Sequence, residues 1–321
     1  THLDKHQIFR ENIKKKNYPA FAKYCADVAE HFIGEGIPVK YISPVNEPFW
    51  VWNGGQEGCH YRPSSCRKVL RAFVKELDSR KALDGVRLSG CENGDIRWFN
   101  KSYSRAVLGD PLVRTRLGAL DIHSYCLHMP IPFFNNRMSF LKRFAKWMSK
   151  NYPDVPVNMS EWTHMQGGRD KGMDSALVTA NVMYEDLSVL NVISWQHWIA
   201  VSEVNYCDGL IYINLDDKTF EMTKRYYVTG NFSKYVPAGS VRVDAACDDS
   251  ELRLLAFKYD GGCAVIVINS TKKEKELSLP EQYSAVKSAV TDDNNNLCEY
   301  DIADPGHIKI TPRSVTTIIL R

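Results

Sequence analysis

The sequence predicts an α/β chain of the barrel kind followed by an antiparallel β-sandwich, and three observations carry that expectation. Five short apolar runs, at residues 39–45, 86–90, 119–123, 155–160 and 192–196, alternate with amphipathic segments. No glycine-rich turn follows an early strand, as it usually does in a doubly wound sheet. Near residue 222 the alternation stops and short β-branched runs take over.

Each apolar run is about five to seven residues long, which suits a strand buried on both faces of a parallel sheet. The segments between them carry helical spacing. Phe21, Cys25, Val28, Ala29 and Phe32 share one helix face, and Gly34 and Gly36 follow as stop signals. Cys66, Val69, Leu70, Phe73, Val74 and Leu77 repeat the pattern behind Pro63. Phe140, Leu141, Phe144, Trp147 and Met148 do so again, as do Ala176, Leu177, Ala180, Met183, Tyr184 and Leu187. A strand–helix repeat of roughly 35 to 45 residues demands crossover connections, hence parallel strands. After residue 222 the runs 241–244, 252–259, 264–269, 276–279, 285–291, 307–310 and 314–320 are separated by turn residues such as Asp260-Gly261-Gly262 and Asp304-Pro305-Gly306. The expected division is a barrel part over 1–221 and a β-sandwich over 222–321.

Composition narrows the function classes. The 321 residues are 44% hydrophobic and 25% charged, with a formal charge of +3. That balance gives no electrostatic argument for a nucleic-acid or charged-membrane partner. No run reaches the roughly 18 apolar residues of a membrane span. The chain opens without the charged and then apolar leader of an exported precursor, as a trimmed exported chain also would. Nine cysteines, an odd number, show no CxxC or Cys/His cluster at zinc spacing. They read as buried or partly buried thiols, with Cys59 and Cys66 near enough in sequence to pair across one loop.

The most informative run is Tyr41-Ile42-Ser43-Pro44-Val45-Asn46-Glu47-Pro48, a strand that ends in a glutamate. Val157-Asn158-Met159-Ser160-Glu161-Trp162 ends the same way. In a barrel, side chains at the C-terminal strand ends point into the active-site mouth. Glycosidic cleavage needs one carboxylic acid to protonate the leaving oxygen and a second carboxylate across the sugar ring. A lone strand-end glutamate is often only a surface residue; two at matching ends, with their flanking residues, specify the chemistry. Trp50, Trp52, Trp162, Trp195 and Trp198 sit at strand ends or in the loops after them, where indole faces stack on sugar rings. The alternative for each is a core role, expected for Trp98 and Trp147.

With Gln56-Glu57-Gly58-Cys59-His60-Tyr61, Trp195-Gln196-His197-Trp198, Asp208-Gly209-Leu210-Ile211-Tyr212 and the passage from Tyr226 to Lys234, these motifs resemble glycoside hydrolase family 30 over essentially the whole chain. The Gln-Glu-Gly-Cys loop is most similar to the endo-β-1,6-galactanase branch, whose members cut galactan side chains of arabinogalactan. The resemblance implies a (β/α)8 TIM barrel with Glu47, on barrel strand four, as general acid/base and Glu161, on strand seven, as nucleophile of a retaining endo-glycosidase that uses no metal or organic cofactor. Asn46 is then placed to bond the sugar's 2-hydroxyl, or else is a plain strand-end turn residue. His123 and Tyr125 are placed to orient the nucleophile, with a satisfied core histidine as the alternative. Glu92 follows the second run and is a weaker candidate for substrate contact. Gln56, Glu57 and His60 are candidates for a subsite. An oligo- or polysaccharide partner and a secreted, periplasmic or cell-surface location follow.

The resemblance also implies that barrel strands one to three are absent, about 100 residues at about 30 per βα unit. The expectation is an N-terminal segment or second chain that completes the barrel. The rival from another class is a non-catalytic carbohydrate-binding barrel remnant. Within the enzymes the rivals are a β-1,6-glucanase, a glucosylceramidase-type hydrolase and a xylanase.

Overall fold

The computed structural model describes residues 11, 13–51, 59–126, 135–280 and 283–321, without the side chains of Trp98, Phe99 and Ala285. The chain divides into two compact units: Thr1–Trp162 with Val189–Gln196, and Thr163–Ser188 with His197–Arg321. The division does not follow the change of texture near residue 222, because helix α6 (Met173–Glu185) and the segment after residue 197 cluster with the β-rich part.

The first unit is built on one parallel sheet with strands β1 (Tyr41–Ile42), β2 (Arg87–Asn93), β3 (Leu117–His123), β4 (Val157–Trp162) and β5 (Ser194–His197). Their spatial order is their chain order. A doubly wound sheet reverses that order at its switch point, so the topology is that of a barrel segment. All five expected strands form. The central three are buried along nearly their whole length, whereas β1 and β5 are partly exposed. Edge strands have a neighbour on one side only, so the expectation of burial on both faces holds only for the middle of the sheet.

Helix α2 (Pro63–Asp78) buries the whole predicted stripe of Cys66, Val69, Leu70, Phe73, Val74 and Leu77. Helix α5 (Arg137–Asn151) buries Phe140, Leu141, Phe144 and Met148, while Trp147 stays half-buried and stacks on Phe144. Helix α1 (Tyr18–Gly34) departs from the expected face. Its buried stripe is Tyr18, Ala22, Ala26 and Ala29, and Val28 and Phe32 are 39% and 43% exposed. Alanines let α1 approach α2 closely, while Phe21 and Cys25 of the expected face still pack on this core, Phe21 edge-on to Phe73 at 5.3 Å. Helices α3 (Trp98–Leu108) and α4 (Pro111–Arg116) lacked a clear apolar period; α4 is set by Asp110, whose side chain accepts from the amides of Leu112 and Val113 ahead of Pro111.

In the second unit, a six-stranded antiparallel sheet has the order β14-β13-β16-β11-β10-β9. It comprises β9 (Val241–Val243), β10 (Leu252–Tyr259), β11 (Gly262–Asn269), β13 (Ala285–Thr291), β14 (Cys298–Asp301) and β16 (Ser314–Leu320). The pair β12 (Lys275–Leu277) and β15 (Ile308–Ile310) places Leu277, Ile308 and Ile310 against Leu252, Ala256, Val265, Val267, Ile318 and Leu320. These are alternate residues on one face of the larger sheet, as the period of two requires. Helix α7 (Lys224–Ser233) ties to the sheet through Asn231, which donates to the Ala289 carbonyl and the Thr317 hydroxyl.

A further sheet of β6 (Val201–Ser202), β7 (Ile211–Asn214) and β8 (Thr219–Met222) was not foreseen. Every residue of β8 is exposed, so no apolar alternation announces it. Its turn is legible afterwards: Asp217 accepts from the Thr219 amide and from Asn214. All nine cysteines, Cys59 and Cys66 included, are free thiols.

Arg225 on α7 is fully buried. Its guanidinium donates to the carbonyls of Asp170 (2.5 Å) and Gly209 (2.7 Å) and to the hydroxyls of Ser175 (2.6 Å) and Tyr212 (3.0 Å). Arg225→Met fills the volume but strands several buried acceptors, each costing about 1–3 kcal/mol. We expect a loss of at least about 3 kcal/mol in urea unfolding; a midpoint within experimental error of wild type would contradict this reading.

Candidate active site

The parallel register brings the strand ends together, and two irregularities re-aim the side chains that matter. Between β2 and β3 the pairing runs Cys91↔Asp121 and then Asn93↔Ile122, so Glu92 is skipped. Between β3 and β4 it runs Ile122↔Met159 and then His123↔Glu161, so Ser160 is skipped. An extra residue in a strand turns the following side chains away from strict alternation. Ser160 and Glu161, neighbours that a regular strand would point to opposite faces, thereby both reach the cluster around His123: the Ser160 hydroxyl donates to Glu92 Oε2 in a very short contact, and Glu161 Oε1 lies 3.5 Å from His123 Nδ1.

His123, 1% exposed, lies at the centre of this cluster. Its Nδ1 lies 2.8 Å from Glu47 Oε1, and its Nε2 lies 3.2 Å from Glu92 Oε2. The Tyr125 hydroxyl donates to Glu161 Oε1 at 3.3 Å. One ligand atom from each of Glu47, His123 and Glu161 falls within 4.8 Å of the others. Such spacing would also admit a cation, but a proton on each ring nitrogen already accounts for the contacts.

Glu47 and Glu92 both have left-handed backbone conformations, at φ 45° and 51°. Such values are uncommon outside glycine and mark a place where surrounding contacts fix the chain. The two are fastened to each other, since the Glu47 amide donates to the Glu92 carbonyl at 2.8 Å.

Burial costs the His123 cation solvation, but bonds to Glu47 and Glu92 and the nearby Glu161 outweigh that loss and raise its pKa to about 9. Burial and the charge of Glu47 raise the Glu161 carboxyl, against the opposing pull of His123 and Tyr125. Burial also pushes on Glu92, but its bonds from His123, Ser160 and Ser43 hold it below the usual range. Behind it, Asp121 is raised to about 7 by burial and by Glu92, while Asn158 donates to it at 2.9 Å.

A histidine whose pKa is higher in the folded than in the unfolded chain stabilises the fold below its unfolded value, and that contribution disappears as pH rises through the folded value. For His123 the window runs from 6.5 to about 9. Stability should therefore fall by about 2 kcal/mol between pH 7 and pH 9, measured as a lower urea midpoint. The fall should be largely absent from His123→Asn; an equal fall in both proteins would refute the assignment.

The remaining predicted residues divide. Asn46 is exposed beside Glu47 in the segment after β1. Trp50 is half-buried, and its carbonyl lies 3.2 Å from Nδ1 of His60, the one subsite candidate of the loop that is described. A Cβ at Gly94 would stand 2.5 Å from Trp50 Nε1 and 2.7 Å from Glu47 Oε1. The absent side chain therefore makes room for indole and carboxylate together. Trp162 is a correction: it is only 6% exposed and packs at 6.1 Å on Trp195, because the residue after Glu161 points to the other side of the strand. It offers packing, not an open platform; Trp195 is half-buried. Trp198 falls in the second unit and is 50% exposed. Trp52, Gln56, Glu57 and Gly58 lie outside the described residues. The structure adds Ser43, Ser160 and Gly94, which carry no role of their own in the sequence, and gives Glu92 a central place. The signal for Glu92 was its place, directly after an apolar run, like Glu47 and Glu161.

The model of O-glycosyl hydrolase family 30 matches residues 4–110 and 142–212, more than half of the chain and including Glu47, Glu92 and Glu161. The chain belongs to glycoside hydrolase family 30. Its family 30 relatives include the endo-beta-1,6-galactanase of Hypocrea rufa, 24% identical over 272 residues, which cover 80% of this chain and 49% of that protein. The lysosomal acid glucosylceramidase of Mus musculus is 23% identical over 207 residues, 58% of this chain and 37% of that one. The chain thus spans about half or less of these curated relatives. A conserved exported protein from Bacteroides fragilis shares the fold with a TM-score of 0.85 at 20% identity, over 98% of this chain and 71% of that one. Among the described residues, no helix is long and apolar enough to cross a membrane.

Proposed function

We propose that this family 30 chain carries the catalytic pair of a retaining endo-glycosidase that cleaves β-1,6-linked galactan. The observation that carries the reading is that Glu47, in the segment after β1, and Glu161, on β4, bring carboxylate oxygens within 4.8 Å of each other, with His123 between them. Retaining enzymes hold their two carboxyl groups about 5–5.5 Å apart, whereas inverting enzymes need about 6.5–9.5 Å to admit a water. Glu47, anchored through Oε1 by His123, protonates the leaving oxygen. Glu161, steadied by Tyr125, attacks the anomeric carbon and forms a glycosyl-enzyme. Glu47, now ionised, removes a proton from the incoming water, which displaces Glu161. Asn46 and Trp50 flank the acid/base on the substrate side. The polysaccharide is met outside the cytoplasm, in a secreted or surface-exposed setting.

The galactan assignment is supported by the similarity to the Hypocrea rufa galactanase over 80% of this chain. It is tested by product analysis on de-arabinosylated arabinogalactan beside β-1,6-glucan and xylan. Galactose oligomers released from the first alone are expected. Cleavage of glucan or xylan in their place would move the assignment within the family, and inactivity on all glycans would favour a carbohydrate-binding remnant.

A further inference from the structure

Glu92 has no part in the double displacement, yet two serine hydroxyls and the His123 ring converge on its carboxylate. Its Oε1 accepts from the Ser43 hydroxyl at 2.6 Å, and its Oε2 accepts from Ser160 and faces His123 Nε2 at 3.2 Å. Its carbonyl takes the Glu47 amide. Among the described residues, the titratable groups around the His123 ring are Glu47 after β1, Glu92 on β2, Tyr125 after β3 and Glu161 on β4, with Asp121 behind Glu92.

A neutral imidazole has one N–H and one lone pair. Here both nitrogens face carboxylates, so a neutral ring would turn a lone pair on one of them. The imidazolium, with two donors, satisfies both sides. Burying that cation requires a counter-charge that the reaction does not consume. Glu47 gains and loses a proton during the proposed cycle and Glu161 becomes an ester, so neither stays anionic throughout. Glu92 does, since three donors hold it ionised.

We propose that Glu92 is a positioning residue that, clamped by Ser43 and Ser160, keeps His123 doubly protonated and thereby holds Glu47 and Glu161 in register. The role of the Glu47–Glu161 pair rests on the proposed function; the state of His123 does not. When Glu47 surrenders its proton, the imidazolium meets the new carboxylate with a donor already in place. No side chain needs to rotate between the two half-reactions.

The test is the 15N NMR titration of the His123 ring, assigned by the signal missing from His123→Asn. In wild type the ring should stay cationic past pH 8, and a midpoint near the ordinary 6.5 would overturn the proposal without any variant. In Glu92→Gln the midpoint should drop by a full pH unit or more, and in Glu92→Asp, which keeps the charge, by less than half of that shift. An unmoved midpoint in Glu92→Gln would equally overturn it, even if that variant were inactive. The titration needs no substrate. Failure to cleave any glycan would count against the proposed function alone. Where activity is present, the basic limb of kcat should follow the His123 midpoint in each variant while KM changes less than twofold; a basic limb that ignores the midpoint would leave Glu92 a structural residue and refute the proposal.

Discussion

Glu161→Gln is expected to lower kcat by roughly 10⁴-fold or more, the scale seen when a covalent nucleophile is removed. The stability readout should move the other way. Burial and the neighbouring Glu47 both disfavour the ionised Glu161 carboxyl, so the folded chain carries a charge it holds at a cost. Glutamine keeps the shape and can still accept from the Tyr125 hydroxyl, which lies 3.3 Å from Oε1. The melting temperature should therefore stay level or rise while turnover disappears. A structural glutamate would give the opposite pair of results, with activity lost in proportion to stability. Retention of a tenth of wild-type kcat would remove Glu161 from the nucleophile's role.

The second large effect is expected at a residue without a side chain. Gly94 does not have a positive φ, so its backbone tolerates alanine. The added methyl, however, would stand 2.7 Å from the Glu47 carboxyl carbon and 2.5 Å from Trp50 Nε1. Both have to move by a few tenths of an ångström or more. A displacement near 1 Å in a reacting group costs about 10²-fold in rate, so Gly94→Ala should lose about that much kcat. Because the obstructing atoms are side-chain ends and not backbone, the fold should lose little. Wild-type kcat in Gly94→Ala would show that the Glu47 carboxyl is not held where the reaction needs it. Together the two substitutions separate the identity of a group from its placement.

The parts of this site that were legible in the sequence share one property: their direction follows from where a strand stops. Glu47 and Glu161 end apolar runs, and His123 and Tyr125 close another, so the barrel rule aims all four at the mouth without further information. Glu92 was harder because it is skipped in the register. A period of two cannot foretell a bulge, and the clamp from Ser43 and Ser160 exists only because two strands depart from regularity. Trp162 shows the reverse: strict alternation after Glu161 would have turned its indole inward, and attention to its residue type obscured that. The fold tells the same story. Helix α2 was readable because its large apolar residues are its buried ones, whereas α1 buries alanines and leaves Phe32 half in solvent. The exposed strand β8 offered a turn signal but no hydrophobic one.

The central claim is that Glu47 and Glu161 act as a retaining pair. The most direct test follows the anomeric proton of the first product by ¹H NMR, during hydrolysis of a β-linked oligosaccharide that the protein cleaves. The β anomer should appear first and then mutarotate. Initial release of the α anomer would mean single-step inversion and would contradict the assignment of Glu161 as nucleophile.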